Sequence, residues 1–192
     1  MPEITIHPVI LAVCADDQRL IRRAKVEALR RRARQAATLS AQYGGYILGE
    51  LEKDAGGVPL PSNGFCWSLS HKERMVAAVV SPRPVGIDLE RLAPVHARMY
   101  DRIADGSEWA LAPHKSERVF FRYWTAKEAV LKAVGKGLTG LERCRVQAIV
   151  DDDHLRLRYE HTDWGVTHCW VGDDHLVTVA SDNAALQWHV LV

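Results

Sequence analysis

The sequence predicts an α+β fold, helices packed with short strands, on three observations. Two segments carry apolar residues at helical spacing, five short runs after Leu138 are rich in strand formers, and clusters of Gly, Pro, Asn and Ser punctuate the intervals. Ile4 to Val13 is rich in β-branched residues and predicts the first strand, and Asp16 or Asp17 is placed to cap the helix that follows. Leu29, Ala33, Ala36, Ala37 and Ser40 then recur at helical spacing, a narrow small-residue face opposite a run of arginines, until Gly44-Gly45 interrupts or ends it. Residues 54–64 form a turn-rich connector. Cys66 to Leu69 and Met75 to Val80 predict strands separated by the polar Ser70-His71-Lys72-Glu73. The turn Ser81-Pro82-Arg83-Pro84 is expected to return the chain as Val85 to Glu90, the hairpin partner of the strand before it.

A short helix is expected from Ala93 to about Ile103, with Val95, Met99, Tyr100 and Ile103 as its apolar side. Pro113 precedes a stronger one, whose buried stripe is Phe120, Tyr123, Trp124, Ala126, Val130, Leu131 and Val134, and which Gly135 and Gly137 stop. Strands are predicted over 143–150, 155–159, 166–171, 176–180 and 186–192, with Asp151-Asp152-Asp153 as a solvated turn. No internal repeat is visible.

The 192 residues, 47% hydrophobic and 26% charged, exclude a disordered chain. No leader and no run approaching the roughly 18 apolar residues of a membrane span are visible, so a soluble, cytoplasmic protein without membrane contact is expected. The four cysteines form no CxxC pair and read as buried reduced thiols. His168-Cys169 with His175 is either a zinc corner or a strand with mixed faces, the second being the simpler reading. Net charge is only +1, yet residues 19–34 hold eight basic residues against Glu27, a local +7 that leaves −6 elsewhere. Such a patch suits a polyanion: nucleic acid, a phosphorylated cofactor or an acidic protein.

Two motifs carry the chemistry. In Gly86-Ile87-Asp88-Leu89-Glu90 the strand period of two sets Asp88 and Glu90 on one face, where they repel unless a cation intervenes. In the helix from Trp124 to Lys132, Trp124, Glu128 and Lys132 share one face. Three carboxylates that can converge with Lys127 and Lys132 suggest a Mg²⁺ site holding a phosphate ester. Taken singly, Asp-x-Glu is a solvated strand end, Glu128 and Lys132 a surface i,i+4 pair worth about 0.2–0.5 kcal/mol, and Trp124 a core residue.

The ordered set Ser-x-Ser-His (68–71), Gly-Ile-Asp-x-Glu (86–90), Trp-x-x-Lys-Glu-Ala-x-x-Lys (124–132) and Gly-x-Gly-Leu (135–138) resembles the phosphopantetheinyl transferases of the pseudo-dimeric, surfactin-synthetase-activating type. The resemblance implies two similar α/β halves, 1–83 and 84–192, each an antiparallel sheet packed with helices, with the active site at their interface. It implies transfer of the 4′-phosphopantetheine arm of coenzyme A to a serine of an acyl or peptidyl carrier protein, with Mg²⁺ as cofactor and adenosine 3′,5′-bisphosphate as the other product. Asp88, Glu90 and Glu128 match the metal-holding carboxylates. Glu128 is also the candidate base, and Lys132 the group that meets the pyrophosphate and leaving bisphosphate. Ser70, His71 and Lys127 match coenzyme A contacts, and Arg30, Arg31 and Arg34 the basic residues that reach its 3′-phosphate.

Two departures stand out: Lys72 follows His71 where many relatives carry serine, and Val58 stands where many carry the lysine of Gly-Lys-Pro. Lys53 or the arginine helix is the expected substitute for the latter. The resemblance further implies a monomer and an acidic carrier docking on the second half, for which Met99, Tyr100 and Ile103 are candidates, the alternative being that they are core. Two rivals stay open. A catalytically silent module that binds coenzyme A or a carrier would show no transfer to an apo carrier; a nucleic-acid-binding protein would show steeply salt-dependent binding.

Overall fold

The computed structural model describes residues 4–192. In chain order it contains β1 (Ile4–Ile6), β2 (Val9–Ala12), α1 (Ala15–Arg19), α2 (Arg22–Tyr43), β3 (Cys66–His71), β4 (Met75–Ser81), β5 (Val85–Arg91), α3 (Ala97–Ile103), α4 (Gly106–Trp109) and α5 (Glu117–Ala133). A 3₁₀ turn (Leu138–Arg143) leads into β6 (Cys144–Ile149), β7 (His154–Tyr159), β8 (Thr162–Val171), β9 (His175–Ser181), β10 (Ala184–Leu186) and β11 (His189–Leu191). The α+β class expected from the sequence describes this mixture of helices and mainly antiparallel sheets. No described helix is long and apolar enough to cross a membrane.

The strands form a four-stranded sheet in the order β11-β2-β4-β3, an antiparallel five-stranded sheet in the order β5-β9-β8-β7-β6, and a two-stranded pair β1-β10. The alternation of side chains along single strands explains the layering. On β4, Val76, Ala78 and Val80 face the alanine stripe of α2, while Ala77 and Val79 meet the other sheet. On β5, Val85, Ile87 and Leu89 point into that inter-sheet layer, which frees Gly86, Asp88 and Glu90 to face α5. The order is therefore helix, sheet, sheet, helix.

Several expectations are corrected. The strand expected over Ile4–Val13 breaks at His7-Pro8, because a proline has no N–H to give a ladder; β1 pairs with β10 and β2 with β4 and β11. Asp16 and Asp17 lie inside the first turn of α1 and do not cap it; the N-cap is Cys14, without a side-chain hydrogen bond. The strand from Cys66 runs on through Ser70 and His71, and pairs with β4 in the hairpin. Met75–Ser81 and Val85–Arg91 are not hairpin partners: the two prolines of Ser81-Pro82-Arg83-Pro84 carry the chain to the second sheet, where β5 pairs with β9. Residues 184–191, placed with the second half on the sequence, pair back with β1 and β2.

The apolar residues of α3 face the core. Ile103 is buried, and Met99 and Tyr100, half-buried, pack against the cluster under α5. His168 is buried with Nδ1 2.8 Å from Thr178 Oγ1, while Cys169, on the opposite face of β8, packs into the inter-sheet layer; the zinc-corner reading therefore has no common ligand point.

Candidate active site

α5 begins at Ser116, whose hydroxyl accepts the Val119 N–H, and ends in a Schellman turn in which Gly135 (φ +65°) lets the Lys136 N–H reach Leu131 O at 2.8 Å. The helix lies against β5 at backbone distance. A Cβ on Gly86 would sit 1.9 Å from Ala129 O and 2.7 Å from Ala133 N. That contact lets the face of α5 carrying Trp124, Glu128 and Lys132 meet Asp88 and Glu90.

The second sheet's edge is closed by serines. Ser68 Oγ accepts the Ile87 N–H (3.0 Å), and Ser70 Oγ accepts the Leu89 N–H (3.1 Å) while donating to Asp88 Oδ1 (3.0 Å). Ser70, expected as a coenzyme A contact, thus has its hydroxyl committed within the protein, where it orients Asp88.

Asp88 is buried. Its Oδ1 also accepts from Lys132 Nζ at 2.7 Å, and the same ammonium donates to Ile87 O at 2.9 Å. Asp88 Oδ2 is buried with no hydrogen-bond partner. Glu90 accepts the Trp124 indole N–H on Oε1 (3.0 Å) and meets Lys72 Nζ on Oε2 (2.7 Å). Trp124 therefore positions Glu90. Trp124→Phe should keep the packing, lose that bond, and cost about 1 kcal/mol in denaturant unfolding.

Glu128 is held above the usual carboxylate range, first by desolvation, then by the charge of Asp88; Lys132 opposes and Glu90 reinforces the shift. Among the described residues, no three carboxylate, imidazole or thiol groups stand together as a ready metal cluster. Two ammoniums are seated on the acids. The donors nonetheless suit a hard divalent cation: all are carboxylate oxygens, and the unpartnered Asp88 Oδ2 is a buried acceptor awaiting a positive group.

A cationic run extends from this cluster toward α2. Lys53 is drawn below the usual lysine range by desolvation and then by Arg30, Lys132 and Arg34. His71 is lowered by desolvation and then by Lys132, Arg30 and Lys72. Among the described residues, Arg30, Arg34 and Lys53 enter no ion pair, whereas Arg31 is turned to Asp17 at 3.2 Å. Lys53 sits opposite Pro59 in a small loop, braced by Asp54 Oδ1 accepting the Gly56 and Val58 N–H groups. Val58 itself packs beside Gly135. Between this loop and the end of α5 is a cleft of about 240 Å³ lined by Lys53, Val58, Trp67, Leu131, Lys132 and Gly137. A hollow of about 550 Å³ against β7 and β8 is larger but lined by solvated pairs such as Arg158 and Asp163, far from the acids in the sheet order.

Lys127 is not brought to this cluster. It is 2% exposed and points into the core, with Nζ 2.7 Å from Glu108 Oε1 and 2.5 Å from Ile103 O. One residue before Glu128, it points about 100° away around α5, where it ties that helix to α3 and α4. Lys72, named on the sequence only as a departure, meets Glu90, while Ser68 and Gly86, present there only as motif positions, hold β5 and admit α5. Only the Ser-x-Ser spacing, with both hydroxyls on one strand face, carried a signal for this arrangement.

A family model described as the 4′-phosphopantetheinyl transferase superfamily matches residues 84–180. The chain is similar to 4′-phosphopantetheinyl transferase gsp of Aneurinibacillus migulanus, 31% identical over 90 residues covering 45% of this chain and 38% of that protein. It is 29% identical to 4′-phosphopantetheinyl transferase HetI of Nostoc sp. over 142 residues, 66% of this chain and 57% of the relative. To 4′-phosphopantetheinyl transferase Sfp of Bacillus subtilis strain 168 it is 32% identical over 77 residues, 38% and 34% of the two chains. The matched stretches thus span between about a third and somewhat over half of these relatives.

Proposed function

Because the chain belongs to the 4′-phosphopantetheinyl transferase superfamily, we propose that it transfers the 4′-phosphopantetheine arm of coenzyme A to a serine hydroxyl of an acyl or peptidyl carrier protein, releasing adenosine 3′,5′-bisphosphate. One observation carries the reading: Lys132 is seated on Asp88, Glu128 feels the charges of Asp88, Lys132 and Glu90, and beside them runs a set of cations, Lys53, Arg30 and Arg34, that enter no ion pair among the described residues.

In the transfer, the serine oxygen forms a bond to the β-phosphorus as the bond to the bisphosphate oxygen breaks, and the hydroxyl proton leaves. Positioning and charge neutralisation carry most of such a displacement. Glu128 takes the proton. Lys132 reaches the pyrophosphate and neutralises the departing oxygen. Asp88, Glu90 and Glu128 would hold Mg²⁺, which when bound supplies further charge neutralisation at the pyrophosphate. Arg30, Arg34 and Lys53 take the 3′-phosphate, with His71 beside them, so Lys53 replaces the lysine that Val58 displaces. In this reading the cofactor lies between the α2 side and the β5–α5 side of the molecule, with an acidic carrier approaching the latter.

The test is mass spectrometry of apo acyl and peptidyl carrier proteins after incubation with coenzyme A, Mg²⁺ and the protein. The carrier serine should gain one phosphopantetheine arm; no gain across a panel of carriers would favour the silent binding module. In the same assay Lys53→Ala should raise KM for coenzyme A roughly tenfold, and far less for coenzyme A lacking the 3′-phosphate. An equal rise for both would take Lys53 out of the 3′-phosphate site.

A further inference from the structure

We infer that Lys72 is a tethered competitor of the divalent cation: its ammonium occupies Glu90 until the metal displaces it, and the freed ammonium then serves the substrate phosphates. The inference rests on the reading of Asp88, Glu90 and Glu128 as the metal-holding residues. Glu90 has both oxygens engaged, Oε1 by the Trp124 N–H and Oε2 by Lys72 Nζ at 2.7 Å. Of the two partners in the ion pair, Lys72 is the one free to move. Its side chain is 40% exposed on the turn between β3 and β4, against 15% for Glu90, and that turn is fixed by its own backbone through the Lys72 N–H to Met75 O bond.

Lys132 differs, since a second bond to Ile87 O fixes its ammonium at Asp88. Lys72 has Glu90 as its one ion-pair partner among the described residues. A divalent ion at Glu90 would stand within a few ångströms of that ammonium and repel it. Once displaced, Lys72 projects beside His71 on the side of the cation run, where a phosphate is the available counter-charge. Metal and phosphate binding are thereby coupled through one side chain, and the coupling is reciprocal.

The experiment uses the full chain and Mn²⁺, with free Mn²⁺ read by its paramagnetic resonance signal in the absence of turnover. Lys72→Ser should bind Mn²⁺ roughly fivefold more tightly than the wild type, a modest factor because the pair is partly solvated. Lys72→Gln, which keeps the stem and removes the charge, should do the same. Mn²⁺ should also raise coenzyme A affinity by a larger factor in the wild type than in either variant. Unchanged or weaker Mn²⁺ binding in both variants overturns the role of Lys72, as does tighter binding in Lys72→Ser alone, which would implicate stem packing. If the wild type takes up no Mn²⁺, or Asp88→Asn leaves uptake unaltered, the metal reading falls and this inference with it. Circular dichroism of both variants fixes the folded fraction used in each titration.

Discussion

Glu128→Gln is expected to reduce carrier modification by at least a hundredfold while leaving the fold at least as stable as the wild type. The loss of rate follows from removing a proton acceptor, a contribution of about 10²–10⁴ in comparable chemistry. The stability result separates this residue from its neighbours. Asp88 is tied to Lys132 and Ser70, so its truncation strips partners from buried groups and confounds activity with folding. Glu128 instead loses solvation and stands beside the like charge of Asp88, which is why its proton is held more tightly than usual. A carboxyl whose folded pKa is raised contributes its stability below its unfolded pKa and forfeits it as pH rises through the folded one. The amide should therefore raise the melting temperature of the metal-free protein by about 2 °C at neutral pH, and the gain should vanish below the ordinary carboxylate value of 4.5. Near-normal turnover would remove Glu128 from the mechanism; a lower melting temperature at neutral pH would contradict the electrostatic account. Within the wild type, transfer should rise with pH as Glu128 ionises, since the base must be ionised.

Gly86→Ala should be the most damaging single methyl in the molecule. The added carbon would lie 1.9 Å from Ala129 O, a backbone atom that no rotamer change can move aside. Overpacking commonly costs 1–3 kcal/mol, and here the whole of α5 must retreat from β5, so about 3 kcal/mol or more is expected. Calorimetry should record a fall of roughly 6–12 °C. Activity should fall further than the unfolded fraction explains, because the helix that retreats carries Glu128 and Lys132. A variant that melts normally and transfers normally would mean that the helix can shift without consequence. Stabilising the variant with an osmolyte separates the two effects: refolding should recover the melting behaviour but not the rate.

The acid pair and the helix face were legible before any coordinates because their periods differ and are local. A strand repeats every two residues and a helix every three to four, so Asp88 with Glu90, and Trp124 with Glu128 and Lys132, declare their shared faces within a few positions. What escaped is the pairing of one local face with another. Lys127 is adjacent to Glu128 in a motif that matches the family, yet a step of about 100° around the helix sends it to Glu108 in the core. The β4–β5 hairpin was misread because its turn residues are ordinary hairpin punctuation, and only two prolines in four positions argued that the ladder would not resume. The short helix α4 was missed because one turn is too short to display a period. Met99 and Tyr100 illustrate the same limit, since an apolar helix face looks alike whether it meets a partner or its own core.

The return of the last strands to the first sheet has a consequence for how the chain reaches its native state. β2 lies between β4 and β11, which follows β4 by more than a hundred residues, and His7 meets His189 across a sequence separation of 182 at 3.1 Å. During synthesis the α2 layer can therefore form with three strands of its sheet, but the β2 edge stays open until the residues beyond β9 emerge. An open edge is a template for the wrong neighbour, and closing so distant a contact is slow. Slow closure is therefore expected at the seam where β11 must find β2, across the molecule from Asp88 and Glu128.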